Sequence, residues 1–379
     1  MPPAGPRPHH RVCPAGHLER TPNHPQPMKS VPARGSRPLA AAALLLPLLA
    51  ACEGHEARFP QTTFAPATEM AEIQIGLFNL TLYLGLAVGI LTFGLLGYIM
   101  WKFRYRPGAP EPQQVHGNTT LEIAWTLLPA LIVAVIAVPT VQAIFDTQPE
   151  PPANALEVRV IGKQWWWEFQ YPVNDGRDTI VTANEIHVPV GQPVHLKLES
   201  DNVLHSFWVP QMGGKRDLIT NRVNHLVFTP REPGVYLGQC AEFCGDSHAL
   251  MKMRLIAHPP EGFLQWLQNE ASPAIEPVDS ASAIALGRTL TTQGACAGCH
   301  VIRGTQMVGR QGPDLTHFGR RRTLASGIVE NNAENLAAWI RNSPAMKPGS
   351  LMPQLGGDIP NALTEEQISY IVAYLQSLQ

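Results

Sequence analysis

Cys240-Ala-Glu-Phe-Cys244-Gly-Asp-Ser-His248-Ala-Leu-Met251 sets two thiols, an imidazole and a thioether within twelve residues. His205, 35 residues upstream, adds a second imidazole from a strand-like segment. Soft thiolates with imidazole and thioether select copper among the available metals. Two cysteines can bridge two copper ions, with one histidine for each and with Met251 and a backbone carbonyl as weak axial donors. Zinc favours a closed set of four Cys and His ligands, and two of each are present, so ligand type by itself leaves zinc open. The surroundings predict the frame that holds this loop. From Leu156 to about His258, short apolar alternations recur at Leu156 to Val160, Pro193 to Leu198 and Val223 to Phe228, separated by turn residues. That rhythm predicts a small antiparallel β-sandwich or barrel over 156–258.

Toward the N-terminus, Ile73 to Trp101 contains no charged residue, and neither does Ile123 to Phe145. A membrane helix needs about 20 such residues, so 73–146 reads as a two-helix transmembrane hairpin. The loop between the spans holds Lys102, Arg104 and Arg106, which places it on the cytoplasmic side. Everything after Phe145 then lies on the outer face. Residues 1–52 read as an N-terminal extension and a secretory signal peptide: Lys29, Arg34 and Arg37 precede a run of small apolar residues from Leu39 to Ala51. Met28 is the expected translation start. Leu49-Ala50-Ala51-Cys52 resembles a bacterial lipoprotein box, so a lipidated Cys52 is expected. Cys13 has no assigned role.

Toward the C-terminus, residues 147–155 are a Pro-rich linker. Residues 259–278 read as a second linker, with a short amphipathic piece around Phe263 to Leu267. Residues 279–379 are helical in character. The last helix is predicted to start at Thr364, with Gln367 completing a capping box. Ile368, Ile371, Val372, Leu375 and Leu378 mark its apolar face. Cys296-Ala-Gly-Cys299-His300 is a c-type haem attachment motif. Its thiols add to the haem vinyl groups and His300 becomes an axial ligand. A zinc knuckle would need a second Cys or His pair, and this segment offers only His317 besides. The sixth ligand should be Met or His, from Met307, Met346, Met352 or His317.

Two resemblances follow from these residues. The C-x3-C-x3-H-x2-M run with its remote histidine resembles the dinuclear CuA motif of cytochrome oxidase subunit II. The likeness extends over residues 73–258, through Leu204-His205-Ser206-Phe207 and Gly162-Lys163-Gln164-Trp165-Trp166-Trp167. It implies a cupredoxin-like sandwich with His205, Cys240, Cys244, His248 and Met251 as side-chain ligands and Glu242 as carbonyl donor. The Glu242 carboxylate would face a magnesium shared with subunit I, with Asp217 near it. Trp165 would be the point where electrons come in above the copper. Glu122, in Glu122-Ile-Ala-Trp125-Thr-Leu-Leu-Pro129, would stand at the mouth of a proton channel of subunit I. The family usually has an acidic residue where Asn202 stands. Separately, residues 279–379 resemble a class I cytochrome c. Lys347-Pro-Gly-Ser-Leu-Met352-Pro353 is similar to its Met loop, which implies Met352 as sixth ligand. Gly312-Pro313-Asp314-Leu315 is similar to the segment whose proline carbonyl holds the axial histidine. Trp339 and Tyr370 are expected to pack in the haem pocket.

The expected architecture is therefore multidomain: a transmembrane α-helical hairpin, an all-β cupredoxin-like sandwich and an all-α class I cytochrome c domain, as in caa3-type oxidases. The resemblance implies an oxidoreductase subunit. It would pass electrons from a donor cytochrome c through its own haem c and copper to subunit I, with haem a and CuB, where dioxygen becomes water. Subunit III and membrane lipid are further implied partners, and a bacterial inner membrane with the two redox domains outside is the implied location. Net charge is −2, which argues against nucleic-acid binding. A quinol oxidase subunit II would lack Cys240, Cys244 and His248. A nitrous-oxide-reducing enzyme would need a seven-histidine cluster that the sequence does not show.

Overall fold

A computed structural model describes residues 59–111, 113–114, 117–274 and 282–379. The expected signal segment, the Met28 start, Cys13 and the lipoprotein-type Cys52 lie outside the described residues. Helix α1 runs over Glu69–Lys102 and α2 over Thr119–Asp146. Each begins on a side-chain cap: Thr68 accepts from Ala71 N, and Asn118 accepts from Thr120 N and Leu121 N. Glu69 and Glu72 in the first turn of α1 suit its positive dipole end. The helix therefore starts four residues before the uncharged run, since charge at a helix end does not stop it. Both helices are long and apolar enough to cross a membrane, and their large apolar side chains are mostly exposed. The start of α1 is tied to the β domain. Thr68 Oγ1 donates to Met212 O at 2.8 Å, and Arg231 pairs with Glu72.

The β domain has ten strands: β1 Leu156–Lys163, β2 Trp166–Val173, β3 Asp178–Ala183, β4 Glu185–Pro189, β5 Val194–Ser200, β6 His205–Trp208, β7 Arg216–Leu218, β8 Asn224–Phe228, β9 Gly234–Cys240 and β10 Lys252–His258. They form two five-stranded sheets, ordered β3-β2-β1-β5-β8 and β4-β10-β9-β6-β7. The expected purely antiparallel pairing fails at two places: β1 with β5 and β4 with β10 are parallel. Parallel neighbours require crossover connections. The chain supplies one by crossing between the sheets at Asn184, whose φ of 63° turns it sharply. Val158, Val160, Trp167, Phe169, Leu196 and Phe207 fill the space between the sheets.

The segment expected to be a linker with a short amphipathic piece holds a full helix, α3 Pro260–Ala271. It starts on a proline, which suits the first helical position. Phe263 and Trp266 are buried on the sandwich, and Trp266 stacks on His187 at 4.2 Å between ring centres. That apolar contact holds the helix against the β domain.

The C-terminal domain contains α4 Ala283–Gln293, α5 Ala333–Arg341, α6 Ser343–Met346 and α7 Glu365–Ser377, with a two-stranded ladder of β11 Thr323–Leu324 and β12 Val329–Glu330 that the helical pattern did not foretell. Thr364 caps α7, and both bonds of the capping box with Gln367 are present. Ile368, Ile371, Val372, Leu375 and Leu378 are all buried, against Ile302, Leu336 and Ile340. Helix α4 crosses α7 at Gly287, where a Cβ would lie 1.9 Å from the Tyr370 carbonyl oxygen.

Candidate functional site

Two side-chain constellations stand out. The first is the loop after β9. The sulfurs of Cys240 and Cys244 are 3.8 Å apart. His205 Nδ1 lies 3.8 Å from Cys240 Sγ, and His248 Nδ1 lies 3.6 Å from Cys244 Sγ. Met251 Sδ is 3.9 Å from Cys244 Sγ, and the Glu242 carbonyl oxygen is 3.2 Å from Cys240 Sγ. Four donor atoms thus converge on one sulfur pair, which makes six in all. Strand β6 delivers His205, the end of β9 delivers Cys240, and a helical turn at His248–Leu250 turns Met251 back inward. Cys240, Cys244 and Met251 are buried.

The electrostatics of this pair fit a cation. A thiol of Cys244 donating to Cys240 holds the latter far below the usual thiol range. The same contact pushes Cys244 up. One proton leaves easily, and the second is retained because two thiolates this close repel. A positive ion between them would release it.

Asn202, singled out only as a missing acid, orients His205. Its Oδ1 accepts from Val203 N at 2.8 Å, and its Nδ2 donates to Gln164 Oε1 at 3.2 Å. Those bonds fix Oδ1 as the atom facing His205 Nε2 at 3.3 Å. An amide oxygen only accepts, so Nε2 carries the proton and the Nδ1 lone pair faces the sulfurs. Glu242 and Asp217 both have exposed side chains. Glu122, in the first turn of α2, is exposed beside Gly117 and outside both constellations.

The aromatic trio divides by role. Trp167 is fully buried in the sandwich core. Trp166 lies under the Lys163 ammonium at 5.0 Å, and Lys163 pairs with Glu168. Trp165 alone touches the sulfur loop, donating from Nε1 to the Cys244 carbonyl at 2.9 Å.

The second constellation is a cleft in the C-terminal domain, walled by Leu315, Phe318, Leu324, Trp339, Ile371 and Leu375. Cys296, Cys299 and His300 lie on it, and so does Met352. His300 Nδ1 donates to the Pro313 carbonyl at 2.8 Å, which leaves the Nε2 lone pair free. Burial lowers the pKa of His300 and keeps the ring neutral. Gly312 is required beside it, since a Cβ there would sit 2.5 Å from Cε1. An apolar cleft with two thiols, a free imidazole nitrogen and a thioether fits a covalently attached porphyrin.

The other candidate sixth ligands are engaged elsewhere. Met307 is buried in the core, and Met346 ends α6 off the cleft wall. His317 has one ring nitrogen on Gln379 O at 2.9 Å and the other on Ser272 O at 3.1 Å. Tyr370 departs from the expected pocket packing: its hydroxyl bonds Glu366 at 2.6 Å on the exposed face of α7, because the cleft side of that helix is taken by Ile371 and Leu375.

Trp165 also lies on the cleft wall, so it adjoins both constellations. Sequence reasoning missed the groups around it: Gln164, Ser326 and Lys347. No sequence signal marks them, since their partners lie more than twenty positions away in the chain.

Comparison with known proteins adds an independent line. Residues 59–143 match the family Cytochrome C oxidase subunit II, transmembrane domain; residues 173–257 match Cytochrome C oxidase subunit II, periplasmic domain; and residues 284–379 match Cytochrome c. The cytochrome c oxidase subunit 2 of Alkalihalophilus pseudofirmus is 40% identical over 298 residues, covering 77% of this chain and 83% of the relative. That of Bacillus sp. (strain PS3) is 35% identical over 342 residues, covering 84% and 91%. The crystal structure of the periplasmic domain of subunit II of cytochrome oxidase of Bradyrhizobium japonicum is 28% identical, covers 32% of this chain and 96% of that one, and gives a TM-score of 0.30.

Proposed function

Because the chain belongs to the cytochrome c oxidase subunit II family, in the form that ends in a cytochrome c domain, we propose that it collects electrons from a donor cytochrome c at its own haem c and delivers them through a dinuclear CuA centre to subunit I of a caa3-type oxidase. There dioxygen is reduced to water and protons are translocated. The observation that supports this most is the convergence of four further donor atoms on the Cys240–Cys244 sulfur pair.

Cys240, Cys244, His205, His248, Met251 and the Glu242 carbonyl would hold the two copper ions. A copper pair held this way shares one electron between two metals, so little rearranges per transfer. Cys296 and Cys299 would tether the porphyrin, and His300 and Met352 would hold its iron. A haem so ligated is a one-electron centre whose potential the thioether raises. Asn202 and Pro313 keep His205 and His300 in the tautomers that leave a lone pair for metal. Trp165 offers the aromatic bridge between cleft and sulfur loop. In this reading the Glu242 carboxylate, with Asp217, faces a magnesium shared with subunit I, and Glu122 lies at a proton channel of that subunit. Subunit III completes the assembly in a bacterial inner membrane, with both redox domains outside.

Optical and EPR spectra of the purified chain test this. A c-type α band and a mixed-valence dinuclear copper signal are expected. Zinc, or fewer than two coppers per loaded chain, would overturn it. Met352→Ala should lower the haem potential on the order of a hundred millivolts, within the ~0.8 V span that axial ligands command. The copper signal should stay intact, and an unmoved potential would reject Met352 as sixth ligand.

A further inference from the structure

The two redox domains meet through buried polar contacts. On β4, Glu185 is 1% exposed, and its carboxylate accepts from Thr323 N and Thr323 Oγ1, both at 2.9 Å, and from Arg322 N. Arg254 donates to the Gly327 carbonyl, and Ser247 Oγ donates to the Pro348 carbonyl at 2.5 Å. Next to Pro348 is Lys347, which is 4% exposed. Its ammonium donates to the Trp165 carbonyl, to Ser326 Oγ at 2.7 Å and toward the Ala325 carbonyl at 3.5 Å. These three oxygens match the three protons of an ammonium, and all of them are uncharged.

Lys347 opens the segment that leads to Met352, and Trp165 is bonded to the Cys244 carbonyl. Besides the direct Ser247–Pro348 bond, a relay of three hydrogen-bonded residues links the haem-side loop to the copper-side loop. Stability is a poor reason for this ammonium. Burying a charge costs free energy, and a methionine of similar length would fill the space without that cost. What the ammonium adds is direction: it fastens two loops at one fixed separation.

We propose that Lys347 is a positioning residue for electron transfer within this chain, pinning the Met352 loop to the Trp165 carbonyl and so setting the spacing between haem cleft and copper loop. The proposal rests on reading both loops as redox centres.

The test uses the full chain assembled in its oxidase, with Lys347→Met, Lys347→Gln and Ser326→Ala. Three readouts are needed: amide hydrogen exchange over 323–327 and 345–352, the rate of electron equilibration between haem and copper after a flash of photoreductant, and both midpoint potentials. Lys347→Met is expected to exchange faster in both segments and to equilibrate about tenfold more slowly, equivalent to 1.4 kcal/mol. That is the scale of one lost charge-assisted hydrogen bond. The α band and copper signal should stay, and any fall in the copper potential from losing a cation beside the Cys244 loop is measured so that its effect on the rate can be taken out. Lys347→Gln keeps N–H donors and should recover most of the rate, and Ser326→Ala should slow it by a smaller factor. An unchanged rate in Lys347→Met and Ser326→Ala would overturn the proposal. So would unchanged exchange, or a slowing accounted for by shifted potentials. Loss of the α band or copper signal in the unmutated chain would instead reject the underlying reading of the two centres.

Discussion

On the proposed reading, a Cys240→Ser chain is expected to keep a c-type α band, to lose the mixed-valence copper signal, and to support oxidase turnover at least about a hundredfold more slowly than the parent. Even partners that only orient a metal ligand cost about 10–100-fold when removed, and Cys240 is more central than that. His205 Nδ1, the Glu242 carbonyl and the Cys244 sulfur all converge on its sulfur. A serine hydroxyl is hard, poorly ionised and a weak partner for copper. The loop fold itself should survive, because the Cys240 backbone N–H still donates to Met251 O and the strand pairing of β9 is untouched. Metal analysis and EPR decide the matter. Retention of two coppers with an unaltered signal would remove the sulfur bridge from the account.

The second large effect concerns the haem domain alone. Gly287→Ala should abolish the α band while leaving the copper signal in place. An added methyl would lie 1.9 Å from the Tyr370 oxygen and 2.5 Å from its carbonyl carbon. Both are backbone atoms of α7, so no side chain can swing aside. Overpacking a well-filled core costs about 1–3 kcal/mol, and more where the obstacle cannot yield. Separating α4 from α7 also uncovers Ile371, Val372 and Leu375, which wall or support the cleft. A Gly287→Ala chain with normal haem content would show that the crossing gives way more easily than its geometry implies.

Chain pattern was a good guide wherever a local period carries the signal. The two uncharged runs correspond to α1 and α2, and the Thr364 cap and apolar face correspond to α7. The strand alternations correspond to β1, β5 and β8. What escaped was set by tertiary contact. The parallel pairs of β1 with β5 and β4 with β10 leave no mark on alternation. Helix α3 is short and proline-led, so its flanks read as linker. It is held by Trp266 on His187, a contact 79 positions apart in the chain. Within the sites, the Cys, His and Met residues announce themselves by spacing and chemistry. Asn202 and Lys347 do not, because each acts through a partner chosen by folding: a ring nitrogen turned toward an amide, and an ammonium seated on backbone carbonyls.

The seating of the haem domain over Trp165 bears on what a mobile carrier meets. Gly349 lies over that indole, where a Cβ would come within 2.6 Å of it, and Lys347 holds the Trp165 carbonyl. On the proposed reading, the handover from carrier to chain and the handover inside the chain become separate problems. Ionic strength should modulate the first, where two exposed surfaces must find each other through screening solvent. The internal step, sealed among fixed neighbours, should run at the same speed in dilute and concentrated salt. The carrier's surface can then change without disturbing how the metal sites address one another.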